Sequence, residues 1–304
     1  MPNMKEIKNH IASVEDTRKI TNAMYLIAST KLRKAKRDLD QTLPYFNALR
    51  GEIKRIFRTV DKVDNRYFFP ASGEEDLPGD YGFLVITADK GLAGAYNQNV
   101  LKEVQRMMGE HPTDNKFFVV GEYGRQYFAA RNIPIEENFL YTAQSPTLQR
   151  ARNITALLLD RYRKGELSHI FIIYTDLGGL ESSARTVRLL PFHRSQFASS
   201  TREKKVDIPF EFSPSVEEVL DSMIPSYVSG FIYSALVDSF CSEQNARMKA
   251  MDAANQNAQE LLDDLTAQFN HTRQSAITQE ITEISAGALG QRRYKERLKG
   301  DAGL

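Results

Sequence analysis

The chain has 304 residues, 41% of them apolar and 26% charged, which is enough for a core and ordinary for a soluble protein. Its 40 basic and 39 acidic residues nearly cancel, so no global field recommends nucleic acid or a membrane surface as partner. A single cysteine, Cys241, excludes a disulfide framework and fits a reducing compartment.

No run approaches the ~20 apolar residues that cross a bilayer, and Met1-Pro2-Asn3-Met4-Lys5 lacks the apolar region of a secretory signal. Residues from Met4 to about Val60 read as one long helix. Alternating steps of four and three from Ile7 fall on Ile11, Val14, Arg18, Thr21, Tyr25, Ala28, Leu32, Ala35, Leu39, Thr42, Phe46, Leu49, Ile53, Ile56 and Val60. All but Arg18, Thr21 and Thr42 are apolar, so the seam is that of a coiled coil. At ~1.5 Å per residue the arm would span on the order of 85 Å. Pro44 removes one helical hydrogen bond and predicts a bend rather than a stop.

Between about Tyr81 and Pro191 the pattern changes to short apolar runs alternating with helices. Strands are expected at 82–87, 116–120, 169–174 and 186–190, with helices at about 96–108, 124–131 and 147–163. Alternation of this kind predicts an α/β body, a mostly parallel Rossmann-like sheet with helices on both faces. Loops are expected at Ser72–Gly79 and from Ser199 to Pro214. The turn Gly91-Leu92-Ala93-Gly94 follows the first strand, where dinucleotide folds hold a pyrophosphate, but it lacks the Gly-x-Gly-x-x-Gly spacing and no Walker loop is present. Glu122, after the second strand, reads as helix-start chemistry rather than a ribose-binding acid.

After Pro225 some sixty residues contain one glycine, Gly230, and no proline, which predicts a second very long helix. Its seam runs through Cys241, Met248, Met251, Ala258, Leu262, Leu265, Phe269 and Ala276, with polar breaks at Gln244, Asn255 and Thr272. Farther on, the apolar stripe shifts to Ile277, Ile281, Ile284 and Ala288. Two seamed arms around a globular insert predict antiparallel pairing within the chain. The segments are therefore an arm over 1–60, a body over 80–195, an arm over 214–290 and a basic tail over 291–304.

Catalytic constellations are missing. The histidines (10, 111, 169, 193 and 271) share no metal-ligand spacing, there is no nucleophile elbow, and the pairs Asp263/Asp264 and Glu280/Glu283 sit on helices. No catalytic residue, metal or cofactor is expected. The notable charges are Lys31, Arg33, Lys34, Lys36 and Arg37, which fit a solvated face or, less well without interleaved aromatics, phosphate contact.

Three blocks carry a resemblance. The first is Thr17-Arg18-Lys19-Ile20-Thr21-Asn22-Ala23-Met24 with Ala28-Ser29-Thr30-Lys31-Leu32-Arg33-Lys34-Ala35. The second is Thr87-Ala88-Asp89-Lys90-Gly91-Leu92-Ala93-Gly94-Ala95-Tyr96-Asn97. The third is Arg247-Met248-Lys249-Ala250-Met251-Asp252-Ala253-Ala254, followed by the run from Thr272 to Ile284. In order and spacing the chain resembles the gamma subunit of F-type ATP synthases, the central rotor shaft, from residue 1 to about 288.

That resemblance implies a non-catalytic part with one copy per complex. Its partners would be the ring of three alpha and three beta subunits, the epsilon subunit and the membrane c-ring, without membrane insertion or nucleic acid. It implies that Met24, Lys31, Arg33, Lys34 and Arg247 pass the acidic lever loops of the beta subunits. Arg273 and Gln274, with Thr278 and Glu280, would meet a beta catch loop. The Met-Pro start and the absence of a transit peptide suggest the cytoplasmic face of a bacterial membrane, and no inserted cysteine pair marks the thiol-regulated chloroplast form. The extension Gln291-Arg292-Arg293-Tyr294-Lys295-Glu296-Arg297-Leu298-Lys299 departs from the family and reads as a solvated or disordered tail, or as a contact to another neighbour. Two rivals remain: an α/β nucleotide-binding enzyme with coiled-coil dimerisation arms, and a static coiled-coil tether, which the heptads taken alone favour.

Overall fold

The computed structural model describes residues 4–59, 65–69, 79–111, 115–176, 183–193 and 212–301. The expected loops at Ser72–Gly79 and Ser199–Pro214 lie largely outside them. The chain divides into two compact units, Leu26–Ala250 and Met1–Tyr25 with Met251–Leu304. The long terminal helices, α1 (Met4–Thr59) and α5 (Val216–Asp301), contribute to both.

The larger unit holds a four-stranded sheet of order β2-β1-β3-β4, with β1 at Asp80–Ile86, β2 at Asn115–Val120, β3 at Leu167–Asp176 and β4 at Ser183–Leu190. β1 pairs in parallel with β2 and β3, while β4 runs antiparallel to β3. Strands buried on both faces need apolar residues at consecutive positions, and Phe83-Leu84-Val85-Ile86 supplies them. Alternate side chains serve alternate faces. Phe83, Val85, Phe117 and Val119 pack with α2 (Tyr96–Glu110) and α3 (Glu122–Ala130). Leu84, Ile86, Phe118 and Val120 pack with α4 (Leu148–Arg163), α1 and α5. Thr147 caps α4 by accepting the Arg150 N–H at 3.2 Å.

Within this unit α1 and α5 pair antiparallel. Phe46 lies against Gly230, where any Cβ would collide with the ring, and the Tyr233 hydroxyl meets Thr42. The helix continues through Pro44 without stopping. Of the predicted α1 seam, Ala28, Ala35, Ile53 and Ile56 are buried and Leu32, Leu39, Phe46 and Leu49 half-buried.

In the smaller unit Ile7 on α1 and Met251, Leu262 and Leu265 on α5 are buried. Thr21 bonds the Asn255 side chain, and Arg18 donates to the Gln259 carboxamide. So Arg18, Thr21 and Thr42, the three polar breaks in the seam, each find a polar partner on the facing helix. A polar pair inside an apolar seam fixes register, because a slip would strand it against hydrocarbon.

α5 runs helical to Asp301. Of the readings of the extension as a solvated or disordered tail, or as a contact to another neighbour, only disorder is corrected: Gln291, Arg292 and Arg293 extend the helix and are exposed, as strong helix formers without a proline do.

Candidate functional site

The β1–α2 turn is tied down from three sides. The Asp89 carboxylate accepts the backbone N–H groups of Ala143 (3.1 Å), Gln144 (3.2 Å) and Glu122 (3.2 Å). The Asn97 side-chain oxygen accepts the Ala88 N–H at 2.9 Å. From α5, Arg247 donates to the Gly91 carbonyl at 3.1 Å and pairs with Glu243 at 2.6 Å. Burial pushes the Glu243 carboxyl up, and the Arg247 guanidinium works against that shift. Burial likewise raises the Tyr96 hydroxyl, which meets Ser239 and Thr175. The Thr175 N–H donates to the Ser239 hydroxyl at 3.2 Å.

This arrangement bears on the enzyme rival. In open α/β sheets a ligand sits at the carboxyl ends of the parallel strands. Here α5 side chains meet the end of β3 and the turn after β1, and the buried Glu243 carboxylate lies near Asp89 and Tyr96, where an anion would need donors. Glu122 opens α3 and pairs with Arg125 at 2.8 Å, as helix-start chemistry predicts. Among the described residues no group of three or more His, Cys, Asp or Glu could hold a metal ion.

The expected partner-contact residues fall in different settings. In the larger unit Lys31, Arg33 and Lys34 are exposed on α1 with Lys36 and Arg37, and Leu26 and Ile27 are exposed beside them. Arg247 is different: its side chain is 12% exposed and committed inside the chain. In the smaller unit Met24 is half-buried, while Arg273, Gln274, Thr278 and Glu280 are all exposed. Steps of four and three put Arg273 and Glu280 on one stripe with Ile277 and Ile284, and Gln274 and Thr278 on the adjacent stripe with Ile281. From Ile277 to Arg293 every residue of α5 is exposed. Sequence reasoning missed the Asp89 hub, whose partners lie 33, 54 and 55 residues along the chain. It also missed Glu243, whose burial is set by distant segments although Arg247 is one turn away.

A half-buried charge lies at the α5–β3 contact. Burial and the nearby Asp176 raise the Asp238 carboxyl to about 6; Asp176 itself pairs with Arg185 at 2.9 Å. Burial, then Asp238, pushes the Cys241 thiol up to about 12. For Asp238 the folded value lies above the unfolded value of about 4. The fold therefore binds more protons, and stability falls as pH rises from about 4 through about 6 and stays lower above that. Asp238→Asn should gain about 1 kcal/mol at pH 7.5, less than the full shift because the carboxyl stays partly in water, and nothing at pH 4. Chemical denaturation at both pH values reads this directly; an equal effect at both would refute it.

In each unit α1 and α5 pair with each other, and the larger unit adds an α/β body, which defines an α/β protein with coiled-coil arms. No described helix is long and apolar enough to cross a membrane. A family profile described as ATP synthase matches residues 3–289. The ATP synthase gamma chain of Ruminiclostridium cellulolyticum is 39% identical over 289 residues, covering 94% of this chain and 98% of the relative. That of Caldanaerobacter subterraneus subsp. tengcongensis is 40% identical over 292 residues, covering 93% and 98%. Among solved structures, a chain of the Euglena gracilis mitochondrial ATP synthase OSCP/F1/c-ring assembly aligns with TM-score 0.64 at 16% identity, over 96% of this chain and 95% of its own length. That likeness supports the fold. The chain belongs to the ATP synthase gamma-chain family.

Proposed function

We propose that the chain is the central rotor shaft of an F-type ATP synthase, a non-catalytic subunit that couples ion-driven c-ring rotation to the conformational cycle of three beta subunits. One copy turns inside an alpha3beta3 ring, with the epsilon subunit and c-ring at its foot, on the cytoplasmic face of a bacterial membrane. The segments 1–60, 80–195 and 214–290 are its two arms and its body.

The observation that carries this reading is the last stretch of α5. From Ile277 to Arg293 a single helix exposes Ile277, Ile281, Ile284 and Leu289 with no buried residue among them. A helix with such a stripe needs a partner to cover it. Arg273, Gln274, Thr278 and Glu280 are interleaved with these apolar residues and supply polar contacts that differ from face to face. An element drives a conformational change only through contacts that differ between states, which a one-sided helix turning among three beta subunits provides. Met24 and the exposed Lys31, Arg33 and Lys34 supply weaker contacts lower down. Exposed ion pairs of about 0–1 kcal/mol guide rotation without locking it.

Co-expression with the alpha and beta subunits of a close relative tests the reading. The expected product is a complex with one copy of this chain per three alpha–beta pairs, whose ATP hydrolysis turns the chain in a single-molecule rotation assay. A homodimer that stays apart and binds a nucleotide would establish the enzyme instead.

A further inference from the structure

We propose that Glu243 is a positioning residue of the rotor: through Arg247 it fastens the Gly91 turn to α5, so that Lys90 and Leu92 stand as a fixed step on the rotor surface. The proposal rests on the shaft reading and adds to it a part that acts without touching a beta subunit.

Glu243 is 4% exposed and lies one helical turn from Arg247 on α5. Their ion pair is 2.6 Å long, and the side chains keep 5% and 12% of their exposure. The remaining reach of the guanidinium goes to the Gly91 carbonyl at 3.1 Å. A planar fork that spans a carboxylate and a carbonyl transmits position from one to the other, which a flexible ammonium does not.

What is held is a turn in an unfavourable shape. Leu92 has φ 62 and Gly94 has φ 53. A bulky side chain in the left-handed region persists only where the surroundings over-determine it. The anchors are present on both sides: Asp89 before the turn, the Asn97 side chain and buried Ala93 after it, and Arg247 at its middle. Yet the Leu92 side chain, for which the strain is borne, is 65% exposed. A strained backbone that holds its side chain outward gains nothing from its own core, and strain of this kind marks a contact site, here for a partner. Lys90, also exposed, puts a cation beside it. Asp89 from the β1–α2 turn, Lys31 from α1 and Tyr96 from α2 complete the charged and polar surroundings of Glu243.

Arg247 as a direct partner contact makes a different prediction. A guanidinium that reached outward would work without Glu243. A guanidinium that clamps the turn fails with it.

The test uses the full chain assembled with alpha and beta subunits. Glu243→Ala and Arg247→Ala should each lower the ATPase kcat by roughly fivefold, with KM unchanged, and the double variant should be no worse than either single, the mark of two residues acting as one unit. Glu243→Gln, which keeps an acceptor, should restore most of the rate. A nitroxide on Leu92→Cys in a Cys241→Ala background should become more mobile in both alanine variants. Additive losses, a loss with Arg247→Ala that Glu243→Ala does not share, or an unchanged label would each overturn the proposal. If Glu243→Ala does not fold, Arg247→Lys takes its place: it keeps the charge but loses the fork, and an immobile label there refutes the clamp. The label can also be read on the chain alone. A chain that never joins alpha and beta subunits therefore sinks the shaft reading while the fastening is still measured.

Discussion

Gly121→Ala should cost the body about 3 kcal/mol or more and lower its melting temperature by on the order of 10 °C. Gly121 joins β2 to α3 at φ 94, a region that L side chains enter at a cost of about 1–3 kcal/mol. A Cβ there would press on the Thr87 carbonyl, and would lie 2.7 Å from the Ala88 carbonyl and 2.7 Å from the Thr87 hydroxyl. None of these atoms is free to move. Thr87 donates to Val120 from both its N–H and its hydroxyl, each at 2.9 Å. The same hydroxyl accepts the Gly124 N–H at 3.0 Å, and the Ala88 carbonyl accepts the Tyr123 N–H at 3.1 Å. Any relaxation breaks the seat of α3 on β1, so strain and overpacking add. Native stability is about 5–15 kcal/mol, which makes this loss a large fraction of it. Gly109→Ala on α2 is the control, since a Cβ there meets nothing within 4 Å, and it should be neutral or gain up to about 1 kcal/mol. Calorimetry of the two variants decides the point; equal melting temperatures would refute it.

The arms were legible in the sequence because a heptad seam is a local pattern. The described positions from Ile7 to Ile56 in steps of four and three are all buried or half-buried. The strands were legible for the same reason, as short apolar runs between turn residues. What the pattern could not give is pairing. Thr21 and Asn255 look like separate flaws in two seams, and only the antiparallel register makes them one bond. The antiparallel direction of β4 was equally hidden, since periodicity carries no sign. Arg247 was read from resemblance as an outward contact, and its commitment to Glu243 and Gly91 depends on a turn that lies far back in the chain. Residues 291–299 hold mostly strong helix formers; the departure from the family pattern suggested a tail where local propensity favoured helix.

Ending the chain after Phe269 should leave the fold intact and remove most of the coupling. The deleted stretch contains no buried residue among those whose burial is described, and only Thr272 and Ala276 are half-covered. The seam from Ile7 to Leu265 remains. The melting temperature should therefore stay within about 2 °C of the full chain, the shift expected for well under 1 kcal/mol. The same deletion takes away Arg273, Gln274, Thr278 and Glu280 together with the exposed Ile277, Ile281 and Ile284. Polar contacts to a partner are worth about 0.5–1.5 kcal/mol each. Four of them with the apolar stripe exceed the 1.4 kcal/mol that corresponds to tenfold. In the assembled complex, rotation driven by ATP should slow at least about tenfold, while the alpha and beta subunits still hydrolyse ATP at a reduced rate. Ending the chain after Ala288 removes the basic extension and, of the proposed contacts, only Leu289, and should rotate at close to the full rate. If the shorter chain turned as fast as the longer, the contacts that drive the beta subunits would have to lie lower on the arms, around Met24, Lys31 and Lys34.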